Sequence, residues 1–168
     1  MSSSDLLMDA FERIRDAVHP AVNGLSSEEL AFRLEAETNS IAWLVWHLTR
    51  IQDDHVAELA GREQVWIENG WVTRFGLPLD TADTGYGHGP DESAKVVADS
   101  PLLLGYFEDV HEKSMEFVRS LDETDLARVV DPGWDPPVTV SIRLVSVIAD
   151  DLQHVGQAAY LRGILERR

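Results

Sequence analysis

Ser40-Ile41-Ala42-Trp43-Leu44-Val45-Trp46-His47-Leu48-Thr49-Arg50-Ile51-Gln52-Asp53-Asp54 is the stretch that decides the fold. Wound as a helix, it places Leu44, His47, Ile51 and Asp54 on one stripe, with Trp43 and Leu48 alongside. Asn39 offers a cap and Gly61 a stop, so the pattern predicts a helix over Ser40–Ala60. His47 falls inside the apolar face rather than opposite it. A buried imidazole needs a partner for each ring nitrogen. A backbone carbonyl meets that need in an ordinary core, and a bound cation meets it in a functional one.

Three more long helices read outward from this one. The first runs over Asp5–Val22, with Leu6, Leu7, Ala10, Phe11, Ile14 and Val18 on a stripe and Asn23-Gly24 as its end. The third starts at Ser100-Pro101, a cap followed by proline, and runs to about Leu121. The fourth begins near Val140-Ser141 and reaches Leu165, with Val145, Ile148, Leu152, Val155 and Ala159 as its expected core stripe and Gly156 open to close helix approach. Ser26-Ser27-Glu28-Glu29 has the form of a capping box for a short turn over Glu28–Arg33. Leu25-Ser-Ser-Glu-Glu-Leu30 before the second helix echoes Leu121-Asp-Glu-Thr-Asp-Leu126 before the fourth, as two pseudo-symmetric helix pairs would. Pro136-Pro137-Val138-Thr139-Val140 is too short to predict a sheet. The expected architecture is an all-α four-helix bundle, one domain over residues 1–168, with a long crossover between the second and third helices.

Composition narrows the function. With 14 Lys and Arg against 30 Asp and Glu, the net charge is −16 and no basic cluster occurs, which argues against nucleic acid as a partner. No apolar run has the length of a membrane span, and the first residues do not form a signal peptide, so a cytoplasmic location is expected. There is no cysteine. Disulfides, thiolate metal sites and a protein thiol nucleophile are thereby excluded, and any sulfur chemistry needs a small-molecule thiol.

The chemistry-bearing residues cluster in three places. His47 lies on the second helix. Asp150-Asp151-Leu152-Gln153-His154-Val155-Gly156-Gln157 lies on the fourth, where Asp150 and His154, four apart, are neighbours roughly 6 Å from each other. Two imidazoles and a carboxylate on facing helices bind Zn²⁺, Ni²⁺ or Fe²⁺ and leave coordination positions open. Sequence alone does not separate Asp150 from Asp151 as the carboxylate donor. Asp54, Asp151 and Gln157 are candidates to orient an imidazole by accepting its second N–H. The third cluster is the glycine-rich Thr84-Gly85-Tyr86-Gly87-His88-Gly89-Pro90, which lacks the Lys-Ser/Thr of a phosphate loop. His88 is an auxiliary candidate there, and Trp46, Tyr86 and Trp134 are candidates to line a ligand pocket.

At these residues the chain resembles the DinB-like family, which includes mycothiol- and bacillithiol-dependent enzymes. Asn39 to Leu48, Gly85-Tyr-Gly-His88 and Asp150 to Gln157 carry the resemblance, which extends over nearly the whole chain. It implies an up–down–down–up bundle, a homodimer, and a divalent metal, Zn or Ni, held by His47, Asp150 and His154. Relatives usually carry His or Glu where this chain has the shorter Asp150. The activity implied is a metal-dependent S-transferase that joins a low-molecular-weight thiol such as mycothiol to an electrophilic substrate. Two alternatives share the donor set: a metal-dependent hydrolase whose open position holds hydroxide, and a non-catalytic, metal-stabilised binding protein.

Overall fold

Among the described residues, hydrophobic periodicity produces four long helices and the loops produce five short ones. The computed structural model describes residues 2–168. Along the chain come α1 (Ser3–Val22), α2 (Ser27–Leu30), α3 (Ile41–Ala60), α4 (Val65–Glu68), α5 (Trp71–Phe75), α6 (Pro90–Ser93), α7 (Ser100–Ser120), α8 (Glu123–Ala127), β1 (Val129–Asp131), β2 (Val138–Thr139) and α9 (Val140–Leu165). The fold is all-α, as expected, apart from the antiparallel β1–β2 ribbon that the short 136–140 stretch concealed. Among the described residues no helix is long and apolar enough to cross a membrane.

Side-chain partners fix the helix directions. Arg15 of α1 meets Glu108 of α7, and Ser4 reaches Leu121 at the other end, so these two run antiparallel. Arg50 of α3 meets Tyr106 of α7 and Gln52 meets Ser114, so these two run parallel. His47 lies beside Asp150 and His154 of α9 while Leu44 shares a groove with Leu161, so α3 and α9 are antiparallel. The result is the up–down–down–up bundle, with residues 61–99 forming the crossover between two parallel helices.

Caps define the helix starts. Ser40, not Asn39, caps α3 by accepting the Trp43 N–H at 3.1 Å. Asp99, not Ser100, caps α7 by accepting from Leu102, which leaves Pro101 in the second helical position. A hydroxyl or carboxylate so placed contributes about 1 kcal/mol. The sequence echo is real in three dimensions: Ser26 with Glu29 and Asp122 with Asp125 form capping boxes on α2 and α8, the short helices that lead into the α3 and α9 arms. Helix α2 is shorter than its expected Glu28–Arg33 span.

The core stripe of α9 is rotated from the expected one. Leu144, Val147, Asp151, Val155 and Ala158 are buried, whereas Val145 is 57% and Leu152 46% exposed. Apolar residues surround this helix, so periodicity alone could not choose between two stripes. Gly156 faces open space instead of a neighbouring helix. Leu6 of α1 is likewise exposed.

The crossover is anchored by a buried polar network that starts on α3. Asp53 accepts the backbone N–H groups of Val65 and Trp66 at 2.9 and 2.8 Å, satisfying the free donors at the start of α4, and also the Tyr106 hydroxyl at 2.9 Å. Arg50, fully buried, donates to the Asp83 carbonyl at 3.0 Å and to Gln64 at 2.6 Å, and lies over the Trp66 ring. Charged groups so deeply placed are tolerated only when their partners are present. Replacing Asp53 by alanine removes the carboxylate 3.9 Å from the Arg50 guanidinium and leaves two amides without an acceptor. The expected loss is about 3–5 kcal/mol, read as a lower midpoint in urea unfolding. A midpoint within error of the wild type would show that the network does not hold the crossover.

Candidate metal centre

The network that fixes residues 61–99 also places one carbonyl over the α3–α9 interface. Asp83 accepts the Gly85 N–H at 2.9 Å, and the turn so formed presents the Thr84 carbonyl to His47. The His47 Nδ1–H donates to that carbonyl at 2.6 Å. This bond fixes the tautomer and leaves the Nε2 lone pair free. Gly85 makes the approach possible. Its φ is +86°, and a Cβ there would lie 2.8 Å from His47 Nδ1 and 3.0 Å from the Trp46 ring.

The α9 side repeats the arrangement. The His154 Nδ1–H donates to Gln157 Oε1 at 3.0 Å, which leaves Nε2 directed to Asp150. His154 Nε2 lies 3.5 Å from Asp150 Oδ1, and His47 Nε2 lies 4.0 Å from Asp150 Oδ2. One donor atom from each of the three residues lies within 4.8 Å of the others. Donors of a tetrahedral ion, each about 2 Å from it, sit roughly 3.4 Å apart. The three side chains therefore fit a divalent cation with a small contraction. Asp150 Oδ2 is buried with no hydrogen-bond partner, which a cation would supply.

Charge and burial act on the two imidazoles in opposite directions. Burial pushes the His47 ring below its ordinary value; the Thr84 bond opposes this, and a charged His154 would reinforce it. The His154 ring is raised by its bond to Asp150, against burial and with help from Gln157. Burial raises the Asp150 carboxyl, but the His154 bond and the charges of His154 and His47 outweigh it and hold the group below the usual carboxylate range.

The other predicted residues divide. Gln157 Oε1 accepts the His154 Nδ1–H. Asp54 does not touch an imidazole; its carboxylate accepts from Gln64 at 2.6 Å and serves the crossover. Asp151 points into the core, fully buried, with neither oxygen hydrogen-bonded. Burial, with the Asp150 charge, raises its carboxyl well above the ordinary value. The His88 ring is buried and spoken for at both nitrogens, donating from Nε2 to Asp83 at 2.9 Å and accepting the Trp43 Nε1–H at 3.1 Å. It braces the loop and offers no free lone pair. Trp46 is buried and stacks on His88. Tyr86 is 88% exposed, and Trp134, on the β1–β2 turn, is also exposed. Neither tip packs against the three donors.

Sequence reasoning missed three parts of the site. Trp43 stacks on His47 with ring centres 4.5 Å apart and meets His154 edge-on at 6.0 Å. Asp83 and the Thr84 carbonyl are the others. The signal for Asp83 was its place two residues before a glycine, where an aspartate closes a turn; nothing in the sequence marks a carbonyl.

These features define a class: an up–down–down–up helical bundle with a two-imidazole, one-carboxylate donor set between its second and fourth long helices. The sequence profile of the mycothiol-S-transferase family matches residues 6–167, and the chain belongs to that family. A search of curated proteins finds no match. The crystal structure of a conserved protein from Enterococcus faecalis is similar over 100% of this chain and 99% of that one, with a TM-score of 0.92 and 30% sequence identity.

Gly85→Ala should lower divalent-metal affinity by roughly tenfold to a hundredfold, because it displaces the carbonyl that orients His47. Competitive chelator titration of Zn²⁺ measures this, and unchanged affinity would separate the loop from the site. The same titration should weaken on going from pH 8 to pH 6. A cation needs both rings neutral, and the raised His154 binds its proton already above the usual histidine range. Affinity indifferent to pH would mean that histidines do not hold the ion.

Proposed function

We propose that this chain is a divalent-metal-dependent S-transferase that joins a low-molecular-weight thiol, such as mycothiol, to an electrophilic substrate. One observation supports this reading above the rest. Both histidines have Nδ1 tied to an oxygen, at 2.6 and 3.0 Å, and Nε2 turned toward one carboxylate that has an unpartnered oxygen. Family membership supports the thiol, and the absence of cysteine means the sulfur comes from a second molecule.

His47, Asp150 and His154 would hold the ion, with zinc or nickel suited to such a donor set. When bound, a divalent cation supplies the positive charge that makes a thiolate stable near neutral pH. The chain's residues do the rest. Asp150 offsets part of the ionic charge. Thr84 and Gln157 keep both rings in the neutral tautomer that binds through Nε2. Trp43 covers one side of the two imidazoles and keeps water from it. In the transfer, the thiol proton passes to solvent and a sulfur lone pair forms the bond to the electrophilic carbon. The leaving group departs with the bonding pair.

The homodimer is part of the same proposal. Ile142, Val145 and Leu152 are exposed along α9, with Ala149 between them and Gly156 one turn beyond, and form an apolar stripe that a second copy would cover. Sedimentation velocity tests it, and a monomer at micromolar concentration would refute it.

The decisive assay compares conjugation of an electrophile such as monochlorobimane with mycothiol by metal-loaded and chelator-treated protein. Chelation and His154→Ala are each expected to reduce the rate on the order of a hundredfold or more while helicity persists. Activity that survives both removes the mechanism. Turnover of esters or amides without added thiol would instead favour the hydrolase reading.

A further inference from the structure

One turn of α3 before His47 and one turn of α9 after His154, the bundle opens into a groove of about 340 Å³. Its walls are Leu34, Leu44, Tyr160, Leu161 and Ile164, and Gln157 closes the end nearest the donors. Gln157 is shared, since its side-chain oxygen is the one that holds His154. Leu44 and His47, three apart on α3, stand about one 5 Å turn from each other. The groove is not lined by the three donors, but it begins about one helical turn from them, so a molecule bridging the two would span little more than that turn.

The lining specifies the occupant. Four walls are leucine or isoleucine, and Tyr160 adds an aromatic face. No lysine or arginine lines the groove, and the one charged group at its rim is Glu37. With a net charge of −16 on the chain, a carboxylate or phosphate would be repelled. Thr38, Asn39 and Gln157 add a few polar atoms to a mainly apolar lining, too few to replace the water lost by a polyhydroxylated group. An apolar cavity of roughly 150 Å³ accepts a benzene ring, so this volume suits one ring or a short alkyl chain. We propose that the groove binds the uncharged apolar substituent of the electrophilic substrate and sets its carbon beside the thiol site. The inference rests on the S-transferase reading, and it assigns the substrate class: small electrophiles bearing an alkyl or aryl group and no negative charge.

The test uses the homologous uncharged ketones from 2-butanone to 2-octanone, titrated into metal-free protein without thiol and followed by amide chemical shifts. The dissociation constant should fall by up to about fourfold per added methylene until the groove is filled. The shifts should concentrate on Leu44, Gln157, Leu161 and Ile164. Ile164 lies in the last turn of α9 and is only partly buried, so the fold can accept Ile164→Trp, which fills the groove, and Ile164→Glu, which charges it. Each should weaken 2-octanone at least tenfold and leave zinc stoichiometry unchanged. An affinity independent of chain length, shifts centred elsewhere, or both variants binding as the wild type does would overturn the assignment. Because neither metal nor thiol is present, these readings stand or fall separately from the transferase assay. A working transferase with no preference for longer chains would sink the groove alone.

Discussion

The hydrogen bond from the His47 Nδ1–H to the Thr84 carbonyl is the constraint on which the site depends. Such a bond contributes only about 1 kcal/mol to stability. Its importance is geometric, because it decides which ring nitrogen faces α9. That carbonyl belongs to a loop with no regular structure of its own, so something else must fix it. Arg50 grips the Asp83 carbonyl, Asp53 caps α4, and the Asp83 side chain closes the turn at Gly85 and holds His88. The buried polar groups of α3 thus position a loop atom, and the loop atom positions a histidine of the same helix. A histidine held from both its backbone and its ring has little freedom to point elsewhere.

The α9 half is built with less material. His154 is oriented by Gln157, one turn along the same helix, and needs no loop. The two rings also differ electrically: burial lowers His47, and Asp150 raises His154. Without a cation, Asp150 favours proton binding at His154, while burial disfavours it at His47. With a cation held by the three side chains, both rings would be neutral. A proton and a cation held there would compete for the same three side chains.

Much of this was legible in the residues, and the failures have physical causes. The four long helices followed from stripes and stop signals, and His47, Asp150 and His154 followed from helical spacing together with the family resemblance. The α9 stripe differs from the expected one because Leu144 and Val147 compete with Val145 and Leu152, and because a buried aspartate, Asp151, interrupts the true one. Asp54 was read as an imidazole partner since it shares a stripe with His47; a glutamine from the crossover took it instead. His88 is an auxiliary candidate in the sequence, but its role as a brace depends on Asp83 and Trp43, contacts that no local pattern encodes. The apolar groove brings together three separated segments and had no signature at all.

The claim that two imidazoles and Asp150 converge on one ion is tested most directly by X-ray absorption at the zinc edge of the reconstituted protein. The account predicts a nearest shell of nitrogen and oxygen with the outer-shell scattering of two imidazole rings, reduced to one ring in His47→Ala. Zinc that shows no imidazole scattering, or a spectrum unchanged by that substitution, would contradict it.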